Sequence, residues 1–273
     1  MNKNLSGRSR CIIENVAPEI DGGAFPAKRT VGETVNVEAD IFADGHDVIS
    51  AVAKFRHEKN SGWSEVPMKL AENDRWRGEF SVTEMGNYFY TVEAWINCFQ
   101  SWRADLKKKL DAGQNVSVEL LVGAEIVEET ARRAPGSDAE TLRKWAKELR
   151  GKKFIAARTL DETLAGLMNR HDGRKLATVY EKALRVAVDR ELARFGAWYE
   201  LFPRSFGGFR GCVEQLPRLA KMGFYVLYLP PIHPIGNAFR KGKNNNVKCE
   251  PGEPGSPWAI GSSEGGHKAI NSE

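Results

Sequence analysis

The stretch NYFYTVEAWINCF, Asn87 to Phe99, alternates without a break. Tyr88, Tyr90, Val92, Ala94 and Ile96 fall on one side of an extended chain, and Phe89, Thr91, Glu93 and Trp95 on the other. Successive side chains of a strand point to opposite faces, so this pattern reads as one long aromatic strand. The same reading extends upstream. In GETVNVEADIF (32–42), Val35, Val37, Ala39 and Ile41 alternate with polar partners, and in RWRGEFSV (75–82) Trp76, Phe80 and Val82 keep one parity. Asp44-Gly45, Ser61-Gly62, Asn73-Asp74 and Met85-Gly86 supply turns between these runs. Short strands at regular spacing predict an antiparallel β-sandwich over residues 1 to about 103.

The pattern changes near Ser101. From Trp102 to about Lys175 the chain reads as helical and charged. VSVELLVGAEIVEETARR (116–133) carries Leu120, Leu121, Ala124 and Val127 at helical spacing. Pro135-Gly136 breaks it. Ser137 with Glu140 then forms a capping-box signature ahead of Leu142, Trp145 and Leu149, with Gly151 as a stop. Thr159 and Glu162 repeat the box before Leu164 and Leu167. Three short amphipathic helices are predicted, packed as a small bundle over 104–175. ALRVAVD (183–189) returns to period two through Leu184, Val186 and Val188. A strand after the helices makes the bundle an insertion into the sandwich, which then comprises 1–103 plus 176–195.

Residues 196–273 form a third region. GAWYELF (196–202) reads as a strand, EQLPRLAKMG (214–223) as a helix with Leu216, Leu219, Ala220 and Met222 inward, and FYVLYL (224–229) as a second strand. Apolar runs on both strands predict a parallel βαβ unit buried on both faces.

Composition narrows the function classes. The 40 basic and 36 acidic residues leave a net charge of +4 over 273 residues. That balance, spread along the whole chain, lacks the basic stripe of a nucleic-acid binder. Cys11, Cys98, Cys212 and Cys249 lie far apart without metal-like spacing, and read as free thiols of a reducing compartment. There is no N-terminal apolar segment of the secretory kind and no apolar run of membrane-spanning length, so a cytoplasmic protein is expected. Asn115-Val-Ser117 matches a glycosylation acceptor that such a compartment makes irrelevant, and LKKK (106–109) reads as a solvated helix face.

Four motifs carry a family resemblance: FGAWYELFPRS (195–205), YLPPIHPIG (228–236), RKGKNN (240–245) and SPWAIGSSEGGHKAI (256–270). The βαβ unit resembles the opening of the (β/α)8 barrel of the α-amylase superfamily, glycoside hydrolase family 13. Within it, the four motifs resemble the maltosyltransferases that extend α-1,4-glucans with maltosyl units from α-maltose 1-phosphate. The segment from Cys11 to Asp47 is similar as well. The resemblance implies a multidomain enzyme: a β-sandwich with a helical insertion, then a barrel, working as a homodimer without cofactor or metal. A barrel of this kind takes roughly 200 residues or more, and 196–273 is far shorter. The resemblance therefore places the nucleophilic Asp and the acid/base Glu outside this chain, which is expected to be inactive alone.

Retaining transfer at an anomeric carbon uses two carboxyl groups about 5 Å apart. Glu200 and Glu264 lie near the right strand ends, but the family places its chemistry elsewhere, and neither is nominated. What this segment can supply is donor binding. By resemblance, Lys241 hydrogen-bonds hydroxyls of the donor maltosyl unit, an ammonium being a three-donor group suited to a polyol. Asn244 and Asn245 either pair with sugar hydroxyls or shape turns. Trp258 either stacks on a sugar ring or packs under its loop, and His267 either lies against the sugar or is a satisfied loop histidine. Arg204 reads as a structural brace. The aromatic sandwich reads as scaffold more than as a glucan-binding module. Two other functions fit the same residues: a non-catalytic carbohydrate-binding or dimerisation module, and an α-amylase-type hydrolase.

Overall fold

The computed structural model describes residues 10–151, 156–232 and 241–253. The chain divides into two compact units, Met1–Glu191 and Leu192–Glu273. In the first, strands β1 (Cys11–Ala17), β2 (Ala27–Thr30), β3 (Thr34–Ala43), β4 (Ile49–His57), β5 (Ser64–Pro67), β6 (Lys69–Glu72), β7 (Arg75–Ser81) and β8 (Gly86–Ile96) come first. Helices α1 (Cys98–Asp111), α2 (Ser117–Ala131), α3 (Gly136–Leu149) and α4 (Glu162–Arg170) follow, then β9 (Thr178–Val179) and β10 (Leu184–Asp189). The strands form two sheets, β1-β3-β7-β6 and β2-β10-β8-β4-β5, with β9 also paired to β8.

The alternating residues face each other between these sheets. Val35, Val37, Ala39 and Ile41 of β3 are buried, as are Tyr88, Tyr90, Val92 and Ala94 of β8 and Leu184, Val186 and Val188 of β10, all in one apolar cluster. Phe55 of β4 stacks on Phe80 of β7 across the interlayer gap, with ring centroids 4.3 Å apart. Each fully buried Val, Leu, Ile or Phe among them contributes about 1.5–3 kcal/mol. The buried phenols keep their hydrogen bonds: Tyr90 donates to the Pro18 carbonyl, and Tyr88 accepts from the Thr83 and Glu84 amides at 3.1 and 3.2 Å.

Two features differ from expectation. The sandwich is not wholly antiparallel, because β10 runs parallel to β2, from Val186 opposite Ala27 to Asp189 opposite Thr30. Hairpins enforce antiparallel pairing only between strands joined by short turns, and here nearly the whole sandwich separates the two. The outer face of β8 is also covered along its second half. Trp95 is buried and donates from Nε1 to Asp172 at 2.7 Å, the Arg174 guanidinium lies 4.5 Å from its ring centre, and Glu93 pairs with Lys54 at 3.0 Å. The segment after α4 thus closes over a strand face that periodicity alone leaves to solvent.

Four helices rather than three surround a second apolar cluster, which includes Phe99, Trp102, Leu106, Val127, Leu142 and Leu164. The additional helix, α1, is capped by Asn97, whose side chain accepts from the Gln100 amide at 3.0 Å and donates to Ser50 at 3.0 Å. Neither predicted capping box forms. Helix α3 begins at Gly136 behind Pro135, so Ser137 lies inside the first turn. At α4 the cap is Asp161, accepting from the Thr163 amide at 2.6 Å, while Thr159 is buried in the preceding 3-10 turn. A carboxylate is the stronger acceptor and suits the positive end of a helix. In LKKK, Leu106 is fully buried and Lys107 and Lys108 pair with Asp111 and Asp105 along the solvated face.

Helices α1 and α2 approach closely at Gly123. A Cβ there would lie 2.0 Å from the Trp102 ring, whose Nε1 donates to the Glu119 carbonyl at 2.7 Å.

In the second unit, β11 (Trp198–Glu200) pairs in parallel with β12 (Val226–Tyr228), and α5 (Phe209–Lys221) lies between them in the chain. The strands have three residues each, shorter than their apolar runs, and they are not buried on both faces: Trp198 is 64% exposed and Tyr228 48%. A two-stranded sheet has no neighbours to cover its flanks. For the same reason α5 buries only Cys212 and Leu219, leaving Leu216, Ala220 and Met222 exposed.

Two measurements test this account. Gly123→Ala overpacks the helical cluster and is expected to cost about 1–3 kcal/mol in chemical denaturation; an unchanged midpoint refutes the close approach. Glu19 accepts from Lys182 and from the Tyr180 hydroxyl, each at 2.6 Å, tying the β1–β2 loop to the segment entering β10. Those partners, Lys182 foremost, hold its carboxyl below the usual range. With the folded pKa depressed, its contribution is present above about pH 4.3 and lost as pH falls through the folded value. The stability gap between the parent and Glu19→Gln should therefore shrink in urea titrations below pH 4, and a constant gap would count against the pairing.

Candidate functional site

The residues nominated for donor binding fall in the second unit. Its two strands end together: the Leu201 amide donates to the Tyr228 carbonyl at 3.0 Å, and Leu201, Pro203 and Pro230 are buried just beyond the strand ends. Pro203 opens a 3-10 turn, Pro203–Phe206, which contains Arg204. Gly207 and Gly208, at φ +76° and +91°, then redirect the chain into α5. Gly211 sits against that turn, where a Cβ would fall 1.5 Å from the Phe206 carbonyl oxygen. Only glycine admits this approach. Glu200 lies exposed at the end of β11.

Lys241 opens a tight loop running to Glu253. It is half-buried and followed by the buried Gly242, whose amide donates to the Asn246 carbonyl at 2.8 Å. The Asn246 amide returns a bond to the Lys243 carbonyl at 3.2 Å, and its side chain accepts from the Lys248 amide at 3.1 Å. Further along, Glu253 accepts from the Glu250 amide at 3.0 Å. A Cβ on Gly242 would lie 2.2 Å from the Lys248 carbonyl oxygen and 2.7 Å from the Glu253 carboxylate. The glycine of the RKG motif is therefore what lets the loop fold back beside Lys241. Asn244 and Asn245 are exposed with φ of +55° and +62°, a left-handed backbone that asparagine tolerates better than most residues. Trp258, Glu264 and His267 lie outside the described residues.

The electrostatics argue against a hidden acid among the described residues. A general acid needs its carboxyl raised. Among the described carboxyls whose pKa is displaced, Glu19, Glu65 and Asp138 are typical, and each is held low by its partners: Lys182, Arg174 and His171 respectively come first. These are structural ion pairs of the first unit. Among the described residues no group of three or more His, Cys, Asp or Glu side chains could hold a metal, and all four cysteines are free. No helix among them is long and apolar enough to cross a membrane.

Comparison with known proteins decides the family. Residues 9–190 match the family described as Alpha-1,4-glucan:maltose-1-phosphate maltosyltransferase, domain N/S. The chain belongs to that family. It is 47% identical to the maltosyltransferase of Chlorobaculum tepidum, with all of this chain aligned, and 46% identical to that of Myxococcus xanthus over 95% of this chain. The Pseudomonas aeruginosa enzyme of the same name is 38% identical over 97%. In each case the alignment spans only about 41–42% of the relative. The domain N/S match coincides with the mostly-sheet unit and its helices, and the alignments with the maltosyltransferases run on through the RKG loop.

The signal for that loop's geometry was thin. A glycine between two lysines marks a turn, but its closeness to Lys248 and Glu253 depends on the folded loop. Gly242→Ala is expected to open it. The amide at position 242 should then exchange with solvent at least about tenfold faster, the loss of one hydrogen bond's worth of protection. Unchanged exchange would mean that the loop closes without glycine.

Proposed function

We propose that this chain is the N-terminal portion of an enzyme that transfers maltosyl units from α-maltose 1-phosphate to the non-reducing ends of α-1,4-glucans. The observation that carries this reading is whole-chain alignment with maltosyltransferases at up to 47% identity, through the Lys241 loop as well as the sandwich. On this reading the helices α1–α4 are an insertion into a sandwich scaffold, since they lie in sequence between β8 and β10, which pair with each other. The parallel β11–β12 pair is the start of a (β/α)8 barrel. Its exposed Trp198, Tyr225 and Tyr228 are faces that further staves would cover. The enzyme is a cytoplasmic homodimer.

Barrel loops after the strands form the active face, and Lys241 holds hydroxyls of the maltosyl donor there. Asn244 and Asn245 set the turn beyond it, and their exposed amides are available to the sugar. His267 and Trp258 complete the donor side. The two carboxyl groups that form and break the glycosyl ester belong to the remainder of the enzyme, so the chain binds and orients but does not cleave.

A chimera tests this directly. Residues 1–273 replace the aligned segment of the Chlorobaculum tepidum relative, and phosphate release from maltose 1-phosphate is followed with a maltooligosaccharide acceptor. The chimera is expected to turn over, while the isolated chain releases none. Lys241→Ala in the chimera should lower kcat/KM for the donor by about tenfold or more, the cost of a lost charged hydrogen bond. An inactive chimera beside an active parent enzyme would overturn the reading.

A further inference from the structure

The outer face of the β2-β10-β8-β4-β5 sheet carries a row of side chains that the sandwich core does not use. Phe89 of β8 stands opposite Arg56 of β4 on one side and Arg185 of β10 on the other. Residues directly opposite in a sheet share a face, so the three form a line across three strands. Trp63, at the β4–β5 turn, extends it. The Arg56 guanidinium lies 5.3 Å from the Trp63 ring centre and 5.0 Å from that of Phe89, clamped between the two. Trp63 remains 38% exposed.

The charges along this row are unlike those around it. Among the described residues no carboxylate lies within 4.0 Å of Arg56 or Arg185, and Arg56 spends one N–H on the Asn60 carbonyl at 2.9 Å. The flanking charges are occupied: Lys54 pairs with Glu93, Lys28 with Asp189, and Glu58 accepts from the Asn87 amide group. The face therefore presents an exposed indole, the held guanidinium of Arg56 and the exposed one of Arg185 inside a border that contains Glu58, Glu65 and Glu93.

A ring face beside directed N–H donors suits a sugar, whose C–H face stacks on an arene and whose hydroxyl rim takes hydrogen bonds. Aromatic and cationic groups also hold single-stranded nucleic acid, but such binding needs an extended basic groove, and the lysines flanking this row are already paired, Lys54 with Glu93 and Lys28 with Asp189. An uncharged polyol needs no such charge. Arg56 is held by its two rings before anything binds, so little side-chain freedom remains to be lost.

We propose that the Trp63–Arg56–Phe89–Arg185 row is a surface site for an α-1,4-glucan chain, with glucosyl rings lying on Trp63 and hydroxyls bonded by Arg56 and Arg185. The choice of this polymer rests on the maltosyltransferase reading above, in which such a glucan is the acceptor. The row holds the polymer on the sandwich.

Native electrophoresis of the 273-residue chain through gels containing glycogen reads binding without any turnover, so its result is independent of the chimera's activity. The parent is expected to be retarded. Trp63→Ala and Arg185→Gln should each weaken retardation at least about fivefold, and Lys144→Gln, at an exposed position of α3, should leave it unchanged. Arg185→Gln removes an exposed side chain that has no ion-pair partner among the described residues, so it keeps the test valid even if Trp63→Ala unfolds. Four results would overturn the proposal: no retardation, retardation unaffected by Arg185→Gln, retardation abolished by Lys144→Gln, or retardation by single-stranded RNA in place of glycogen.

Discussion

Strand β8 has to satisfy two interiors at once, and much of the first unit follows from that requirement. Its inner residues, Tyr88 to Ala94, supply the centre of the interlayer core. Its outer residues must also leave water where Trp95 and Thr91 are buried. The chain meets the second demand by leaving the sheet at Asn97, running through four helices, and returning over Trp95 with Asp172 and Arg174. Thr91 donates to the Tyr180 carbonyl on the same return path. The helices are thus tied to the sheet at both ends by hydrogen bonds to β8 or its immediate continuation.

The return path also fixes the remaining topology. Once the segment reaches Tyr180 and Lys182, both grip Glu19, and β10 enters beside β2 in parallel. Pairing a strand from the end of the unit with one from its beginning adds β2 as the edge of the sheet. A parallel partner is acceptable there because no tight turn constrains its direction. Where β8 is left open, around Phe89, the sheet presents the aromatic and guanidinium row instead of a covering segment.

Legibility in the sequence followed the range of the interaction. Val35 to Ile41 and Tyr88 to Ala94 were readable because burial of one strand face depends only on alternation along a few residues. The helical region was readable as helical, but its caps were not: Asp161 outcompetes Thr159, and Pro135 displaces Ser137, through local geometry that several residue types could satisfy. Asn97 with Gln100 three positions later was a visible cap signal at α1, hidden by the strand that ends beside it. Gly123 carries no mark of its own, since its necessity comes from a ring contributed by α1. At the candidate site, Lys241 was legible only through family resemblance. The role of Gly242 rests on a carbonyl six residues away.

Alternating polarity, turn residues and helical spacing alone determined that this protein would build a sandwich, a helical segment and a strand–helix–strand unit. Those signals are local, and the hydrophobic effect acts on them wherever the chain meets itself. Only tertiary structure decided the parallel β2–β10 pair, the covering of Trp95 and the clamping of Arg56 between two rings. Each of these joins residues that are distant in the chain or set by a turn, and their contact energy exists only after the sheets have closed.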